Sequence, residues 1–115
     1  MRIFLERLKF RTIWSWHGVK DAWVNEHSFR TWVWANLVSG GLALWLLEGT
    51  ALALILVMGI LVLAAELMNT AIERTVDLVT EEQHPLAKQA KDAGSAAVAV
   101  TAVAAGVAWV VVLFG

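Results

Sequence analysis

The stretch Gly49–Asp77 reads GTALALILVMGILVLAAELMNTAIERTVD and joins an uninterrupted apolar run to a row of polar side chains. With a few flanking residues, the uncharged part is long enough to cross a bilayer core of about 30 Å as a helix. The polar part places Glu66, Asn69, Glu73 and Asp77 at intervals of three, four and four residues. At about 100° per residue, these four side chains fall within an arc of roughly 80° on one helix face. The stretch therefore predicts a membrane-crossing helix with a polar face at one end.

Two further uncharged runs flank this stretch, Thr31–Leu47 before it and Ala93–Gly115 after it. Three such runs fill most of the chain, so we expect an all-α membrane protein and not the alternative, a buried helical hairpin in a soluble core. Only Leu47–Thr50 separates the first two runs, which predicts a tight antiparallel hairpin. Residues 1–115 are expected to form one membrane domain. Its segments are an interfacial helix at 1–28 and spans at 29–47, 50–80 with a cytoplasmic extension, and 91–114.

Charge is distributed unevenly, although the net charge is only −1. Lys and Arg occur before the first span and between the second and third spans, but not in the hairpin or at the C-terminus. Because cytoplasmic loops carry an excess of Lys and Arg, we expect the N-terminus and the 74–92 segment to be cytoplasmic. The C-terminus should then lie on the opposite side.

The first 25 residues do not resemble a span or a secretory signal peptide. Trp16, Val19 and Trp23 recur at helical spacing, and His17, Lys20 and Asp21 would lie away from that apolar stripe. This pattern predicts an amphipathic helix in the membrane interface. The alternative is a cytoplasmic helix packed on another subunit.

The acidic row needs compensation, since carboxylates at membrane depth are costly and like charges on adjacent turns repel. Oxygen ligands suit Mg²⁺, which usually takes one or two carboxylates together with substrate phosphates. Glu26 lies at the same predicted face, as do four basic residues: Arg7, Arg30, Lys88 and Lys91. These groups are compatible with a site for a magnesium-bound nucleotide. A solvated helix end held by ion pairs is the other interpretation. The chain has no cysteine, so a thiolate site is excluded, and it has no glycine-rich phosphate loop.

Three blocks of sequence, Ser15–Arg30, Glu66–Asp77 and Ala90–Val98, resemble the prokaryotic integral-membrane diacylglycerol kinases in their order, spacing and setting between spans. The resemblance covers nearly the whole chain. It implies a homotrimer in the bacterial inner membrane, with active sites between neighbouring subunits at the cytoplasmic interface. It also implies phosphoryl transfer from ATP to the hydroxyl of diacylglycerol, with Mg²⁺ as cofactor and phosphatidic acid as product. Nucleic acid is not an expected partner.

The resemblance implies roles for individual residues. Glu66 would be the general base that accepts the proton of the lipid hydroxyl, and Asn69 would support the catalytic site. Glu26 and Glu73 would hold Mg²⁺. The positions that would contact the nucleotide are Arg7, Trp14, Glu26, Glu73, Asp77, Glu82, Gln83, His84, Lys91 and Asp92. The positions that would contact the lipid are Arg7, Trp16, Trp23, Arg30, Glu66 and Ser95.

This chain departs from the family pattern at two places. Thr31-Trp32 stands where relatives in that family have a polar residue followed by Glu, which puts one lipid-headgroup contact in doubt. Gln83 stands where relatives in that family have an aromatic residue near the adenine, which puts nucleotide discrimination in doubt. The same family contains undecaprenol kinases, but the Ala22–Glu26 block looks more like the diacylglycerol branch. A small oligomeric membrane scaffold or channel is the non-enzyme alternative.

Overall fold

The computed structural model describes residues 1–115 and contains only helices and their connections. The all-α class predicted from the sequence is confirmed. The four helices are α1 (Arg2–Asn25), α2 (His27–Leu46), α3 (Gly49–Val79) and α4 (Pro85–Phe114).

Each connection has a local cause in the sequence. Glu26 alone separates α1 from α2, and its extended backbone interrupts the helical hydrogen bonds there. Gly49 opens α3 with a φ of 61°, a conformation that glycine adopts without steric cost. At the start of α4, His84 Nδ1 accepts a hydrogen bond of 3.1 Å from the Leu86 amide. Pro85 occupies the first turn of α4, where its missing N–H costs nothing.

The centre of the fold is α3, which packs against α4, α2 and the end of α1. Its buried side chains share the face that meets α2 and α4: Ile55, Val62, Glu66, Asn69 and Thr70. Both long dimensions of the chain are close to 45 Å, so α1 extends sideways from the bundle of the other three helices. Residues 1–20 of α1 are all exposed, and Ala22 is its one buried residue.

Two helices, α3 and α4, are long and apolar enough to cross a membrane. Their apolar segments are largely exposed to the outside of the chain, whereas the core helices of a soluble protein are mostly buried. Helix α2 has 20 residues but is less apolar, since it carries Arg30 and Asn36. The three-span arrangement therefore stays a prediction.

The surface helix α1 presents different residues to the chain and to its surroundings. Ala22 is buried and Asp21 is half-buried against α3, whereas Trp16 and Trp23 are exposed. The tryptophan stripe is thus free to contact lipid or another subunit.

The number of spans is testable by cysteine labelling, because the chain has no natural cysteine. Single cysteines near residue 10 and residue 85 should react with an impermeant thiol reagent from the cytoplasmic side only. A cysteine added after Gly115 should react from the opposite side only. If α2 did not cross, residues 10 and 85 would label from opposite sides, and labelling of all three from one side would also contradict three spans.

Candidate active site

The polar face of α3 passes from a buried end to an exposed end. Glu66 and Asn69 are buried, Glu73 is half-buried and Asp77 is exposed. The helical spacing in the sequence thus correctly placed these four side chains on one face. Burial of the first two is set by α2 and α4, which cover this part of α3.

The buried carboxylate of Glu66 has a partner on α2. Ser28 Oγ donates a hydrogen bond of 2.5 Å to Glu66 Oε1. A buried carboxylate without such a donor would be costly, so this contact stabilises the acid within the bundle. Ser28 had no role among the site residues predicted from the sequence. Its position in the sequence, two residues after Glu26, could have indicated that it lies near the acidic residues.

Asn69 connects the polar face of α3 to α4. Its Nδ2 donates to Glu73 Oε1 at 3.1 Å, one helical turn further along. Its Oδ1 is buried and has no hydrogen-bond partner. A Cβ on Gly94 would lie 2.5 Å from that oxygen, so the glycine of α4 makes the space for the amide. Gly94 is a second residue that the sequence analysis did not assign to the site.

Arg74 joins three parts of the chain at the exposed side of α3. Its guanidinium donates to Asp21 on α1 and, at 2.9 Å, to Glu26 between α1 and α2. The Arg74 hydrogen bond, aided by Asn25, holds the pKa of Asp21 below its ordinary value. Arg74 was not among the site residues predicted from the sequence, although a basic residue directly after Glu73 indicates acidic partners nearby.

An open cleft of about 730 Å³ lies where α3, the α3–α4 connection and α4 meet. Six of the predicted nucleotide-binding residues line it: Asp77, Glu82, Gln83, His84, Lys91 and Asp92. Lys91 donates to Asp77, and Lys88 donates to Asp92, so both lysines at the cleft carry an acidic partner. Such exposed pairs are worth about 0–1 kcal/mol each, which leaves the ammonium groups able to exchange carboxylate for phosphate.

Other predicted site residues lie away from this cleft. Arg7, Trp14 and Trp16 are on the exposed part of α1 and do not line it. Arg30 donates to the carbonyls of Trp23 and Val24, and it thereby caps the C-terminal end of α1. Ser95 is exposed on α4 beside Gly94. Within one chain, therefore, the predicted nucleotide and lipid residues do not converge on one point.

The oxygen atoms at this end of α3 are suited to Mg²⁺ but do not form a complete protein site. No group of three His, Cys, Asp or Glu side chains comes together in a way that would hold a metal ion alone. Glu26 accepts a hydrogen bond from Arg74, which directly follows Glu73 in the chain, and Glu73 accepts one from Asn69. Two carboxylates fit an ion whose remaining ligands are phosphates and water.

Comparison with known proteins gives a consistent assignment. The sequence model of the family described as prokaryotic diacylglycerol kinase matches residues 13–113. A diacylglycerol kinase of Pseudomonas aeruginosa is 40% identical over 112 residues, which cover 96% of this chain and 91% of the relative. A diacylglycerol kinase of Escherichia coli is 38% identical over 101 residues, covering 87% and 83% respectively. An undecaprenol kinase of Bacillus subtilis is 68% identical over 38 residues, which cover 33% of this chain and 31% of that protein.

The Gly94–Asn69 contact predicts a specific mutational coupling. Gly94→Ala should lower the free energy of unfolding by about 1–3 kcal/mol, because the new methyl group overpacks against the buried amide. Asn69→Ala should relieve that cost, so the double variant should be more stable than the two single effects predict. The free energies of unfolding of the two single variants and the double variant are measured on the detergent-solubilised protein. Gly41→Ala is the matched control, since a Cβ there meets nothing within 4 Å. Equal effects at Gly94 and Gly41 would contradict the close contact.

Proposed function

The chain belongs to the prokaryotic diacylglycerol kinase family, and on that premise we propose that it transfers the γ-phosphoryl group of MgATP to diacylglycerol. The product would be phosphatidic acid. That the chain is a membrane lipid kinase follows from the family itself; the phosphate donor and the particular lipid are the proposal.

The observation that carries this proposal is the gradient along the polar face of α3. Glu66 is buried at the end that continues into the apolar run, and Asp77 borders the open cleft at the other end. A lipid alcohol approaches from the apolar side and a nucleotide from water. The two substrates would therefore meet along this face, between Glu66 and the cleft.

Glu66 is our proposed general base. Its Oε1 is held by Ser28, which orients the carboxylate for the lipid hydroxyl. As the hydroxyl oxygen forms its bond to the γ-phosphorus, the proton would pass to Glu66 and the bond from the γ-phosphorus to the bridging oxygen of ADP would break. Phosphoryl transfer depends mainly on positioning and on charge stabilisation, so the reaction needs no covalent enzyme intermediate, only a well-placed base.

Glu26 and Glu73 would hold the magnesium ion that accompanies ATP. When bound, Mg²⁺ would neutralise phosphate charge during transfer. Asn69 donates to Glu73 and so fixes one of the two carboxylates. Arg74 does the same for Glu26, which is otherwise free to turn at the break between α1 and α2.

The nucleotide would occupy the cleft at the α3–α4 connection. Lys88 and Lys91 are the cations nearest to a phosphate chain there, and Gln83 and His84 lie at the turn where the base would sit. Lys91 would release Asp77 and bind phosphate instead. The remaining predicted contacts, Arg7 and Trp14, would come from α1.

A homotrimer with three spans per subunit accounts for the exposed surface of one chain. Only 11 of 115 residues are buried, and large apolar side chains are exposed along every helix. Because Arg7, Trp14 and Trp16 do not line the cleft of their own chain, we propose that they complete the site of a neighbouring subunit. The N-terminus and the sites would face the cytoplasm, across the bacterial inner membrane from the C-terminus.

Undecaprenol is the second candidate substrate. The specific observation in its favour is the 68% identity to an undecaprenol kinase, which extends over 38 residues only. The diacylglycerol kinases match this chain over most of its length. We therefore favour diacylglycerol.

The proposed reaction is tested with purified protein, Mg²⁺ and γ-labelled ATP in mixed micelles. Label should enter diacylglycerol when that lipid is supplied, and ATP consumption without a lipid alcohol should stay at background. Transfer to undecaprenol alone would select the second candidate. Labelling of neither lipid would contradict the kinase proposal and favour a scaffold or channel.

The roles of two acids are separable by isosteric substitution. Glu66→Gln cannot accept the proton, so kcat at saturating lipid should fall by about 10²–10⁴ while nucleotide affinity is retained. Glu73→Gln should weaken MgATP binding as well, with partial recovery at higher Mg²⁺. Glu6→Gln on the exposed part of α1 is the control and should resemble the wild type. Loss of nucleotide affinity with retained kcat in Glu66→Gln would instead make Glu66 a ligand.

A further inference from the structure

The ion pairs of Arg74 connect two elements that few other contacts hold together. Asp21 lies near the end of α1, and Glu26 is the single non-helical residue between α1 and α2. Both carboxylates bind the same guanidinium, which projects from α3. A planar guanidinium with several N–H donors can bind two carboxylates at once, whereas an ammonium acts as a point charge.

The rest of α1 gives little support to this arrangement. Residues 1–20 are exposed, and Ala22 is the one buried residue of the helix. Beside the buried Ala22, α1 and α3 leave a shallow open cleft between them, lined by Gly18, Thr70 and Ala71. The hydrogen bond that joins the two helices is the one from Arg74 to Asp21.

The position of the Glu26 carboxylate also depends on Arg74. Its carboxylate makes its one side-chain hydrogen bond with Arg74, and its backbone is extended between two helices. Without Arg74, the Glu26 side chain would be less restricted, although Arg30 would still join α2 to the end of α1. The proposed magnesium ligand Glu26 would then lose its fixed position relative to Glu73.

We propose that Arg74 is a positioning residue, which docks α1 on α3 through Asp21 and fixes the Glu26 carboxylate for the metal-bound nucleotide. The metal part of this inference rests on the proposed function, and the docking part does not. The two carboxylates have separate tasks: Asp21 keeps Arg74 at the α1–α3 contact, and Glu26 is the group being positioned.

The sign of the effect on metal binding distinguishes positioning from simple neutralisation. If Arg74 only neutralised Glu26, its removal would leave a more negative site and strengthen the binding of a divalent cation. If Arg74 positions Glu26, its removal weakens binding, because the ligand must be ordered again when the metal binds. The two roles therefore predict opposite changes in affinity.

Docking is measured first, without any substrate, in a Gly18→Cys/Ala71→Cys variant. The chain has no natural cysteine, and both positions line the cleft between α1 and α3. A Cβ at position 18 meets no atom within 4 Å, so the two thiols are joined by a short bifunctional thiol reagent and not by a direct disulfide. Cross-linking within one subunit should be several-fold slower when Arg74→Gln or Asp21→Asn is added. Lys20→Gln, a charge change at an exposed residue beside Asp21, is the matched control and should leave the rate unchanged.

Metal affinity is measured next, on the full protein with ATP and with Mn²⁺ as a spectroscopic stand-in for Mg²⁺. The affinity of Arg74→Gln for Mn²⁺ should fall roughly fivefold, the scale of one or two exposed ion pairs. Arg74→Lys should fall between Arg74→Gln and the wild type in both measurements. Arg74→Lys also provides both tests if Arg74→Gln does not fold. Kinase assays should show a higher Mg²⁺ requirement, with kcat at saturating Mg²⁺ largely kept.

Unchanged cross-linking in Arg74→Gln and Arg74→Lys would overturn the docking role. Unchanged or stronger Mn²⁺ binding would overturn the positioning of Glu26. A wild-type protein that phosphorylates no lipid would refute the proposed function but leave the docking result valid, so the two failures are distinguishable.

Discussion

Burial of the Glu66 carboxylate constrains the packing of the other helices around α3. A charged or strongly polar group inside an apolar bundle is tolerated only with hydrogen-bonding partners, because the surrounding hydrocarbon provides none. Ser28 on α2 is that partner for Glu66, and it requires the start of α2 to lie beside the middle of α3. Glu26 must then be at the same level, since it precedes α2 directly.

The same requirement shapes the contact between α3 and α4. Asn69 lies one turn beyond Glu66 and needs room for its amide, which Gly94 provides on α4. Close approach of α4 at this point also brings its first turns, with Lys88 and Lys91, beside Asp77. A buried acid and an amide thus follow one another along one face of α3, and two lysines of α4 lie beside the exposed end of that face.

The site contains neither a glycine-rich phosphate loop nor a group of three side chains that could hold a metal ion alone. The charges at this face are mostly paired with one another in exposed or half-buried ion pairs. Such exposed pairs contribute only about 0–1 kcal/mol each to stability, so they hold their side chains in place weakly. The resulting site is preorganised by its buried residues and adaptable at its exposed ones.

The sequence by itself determined the helical class, the apolar runs and the polar face of α3. Those features depend on local periodicity and composition, which are visible over a few turns of helix. The resemblance in three blocks also indicated the family that comparison with known proteins then confirmed. The number of spans was not determined in this way, because α2 mixes apolar residues with Arg30 and Asn36.

Tertiary structure alone decided which side chains support the acids. Ser28 lies 38 residues from Glu66, and Arg74 lies 53 residues from Asp21 and 48 from Glu26. Gly94 contacts Asn69 from a different helix. No periodicity connects residues so far apart in the chain; they meet because the crossing of the helices brings them together. The physical reason is that a pairing between helices depends on their relative position, which a local pattern does not contain.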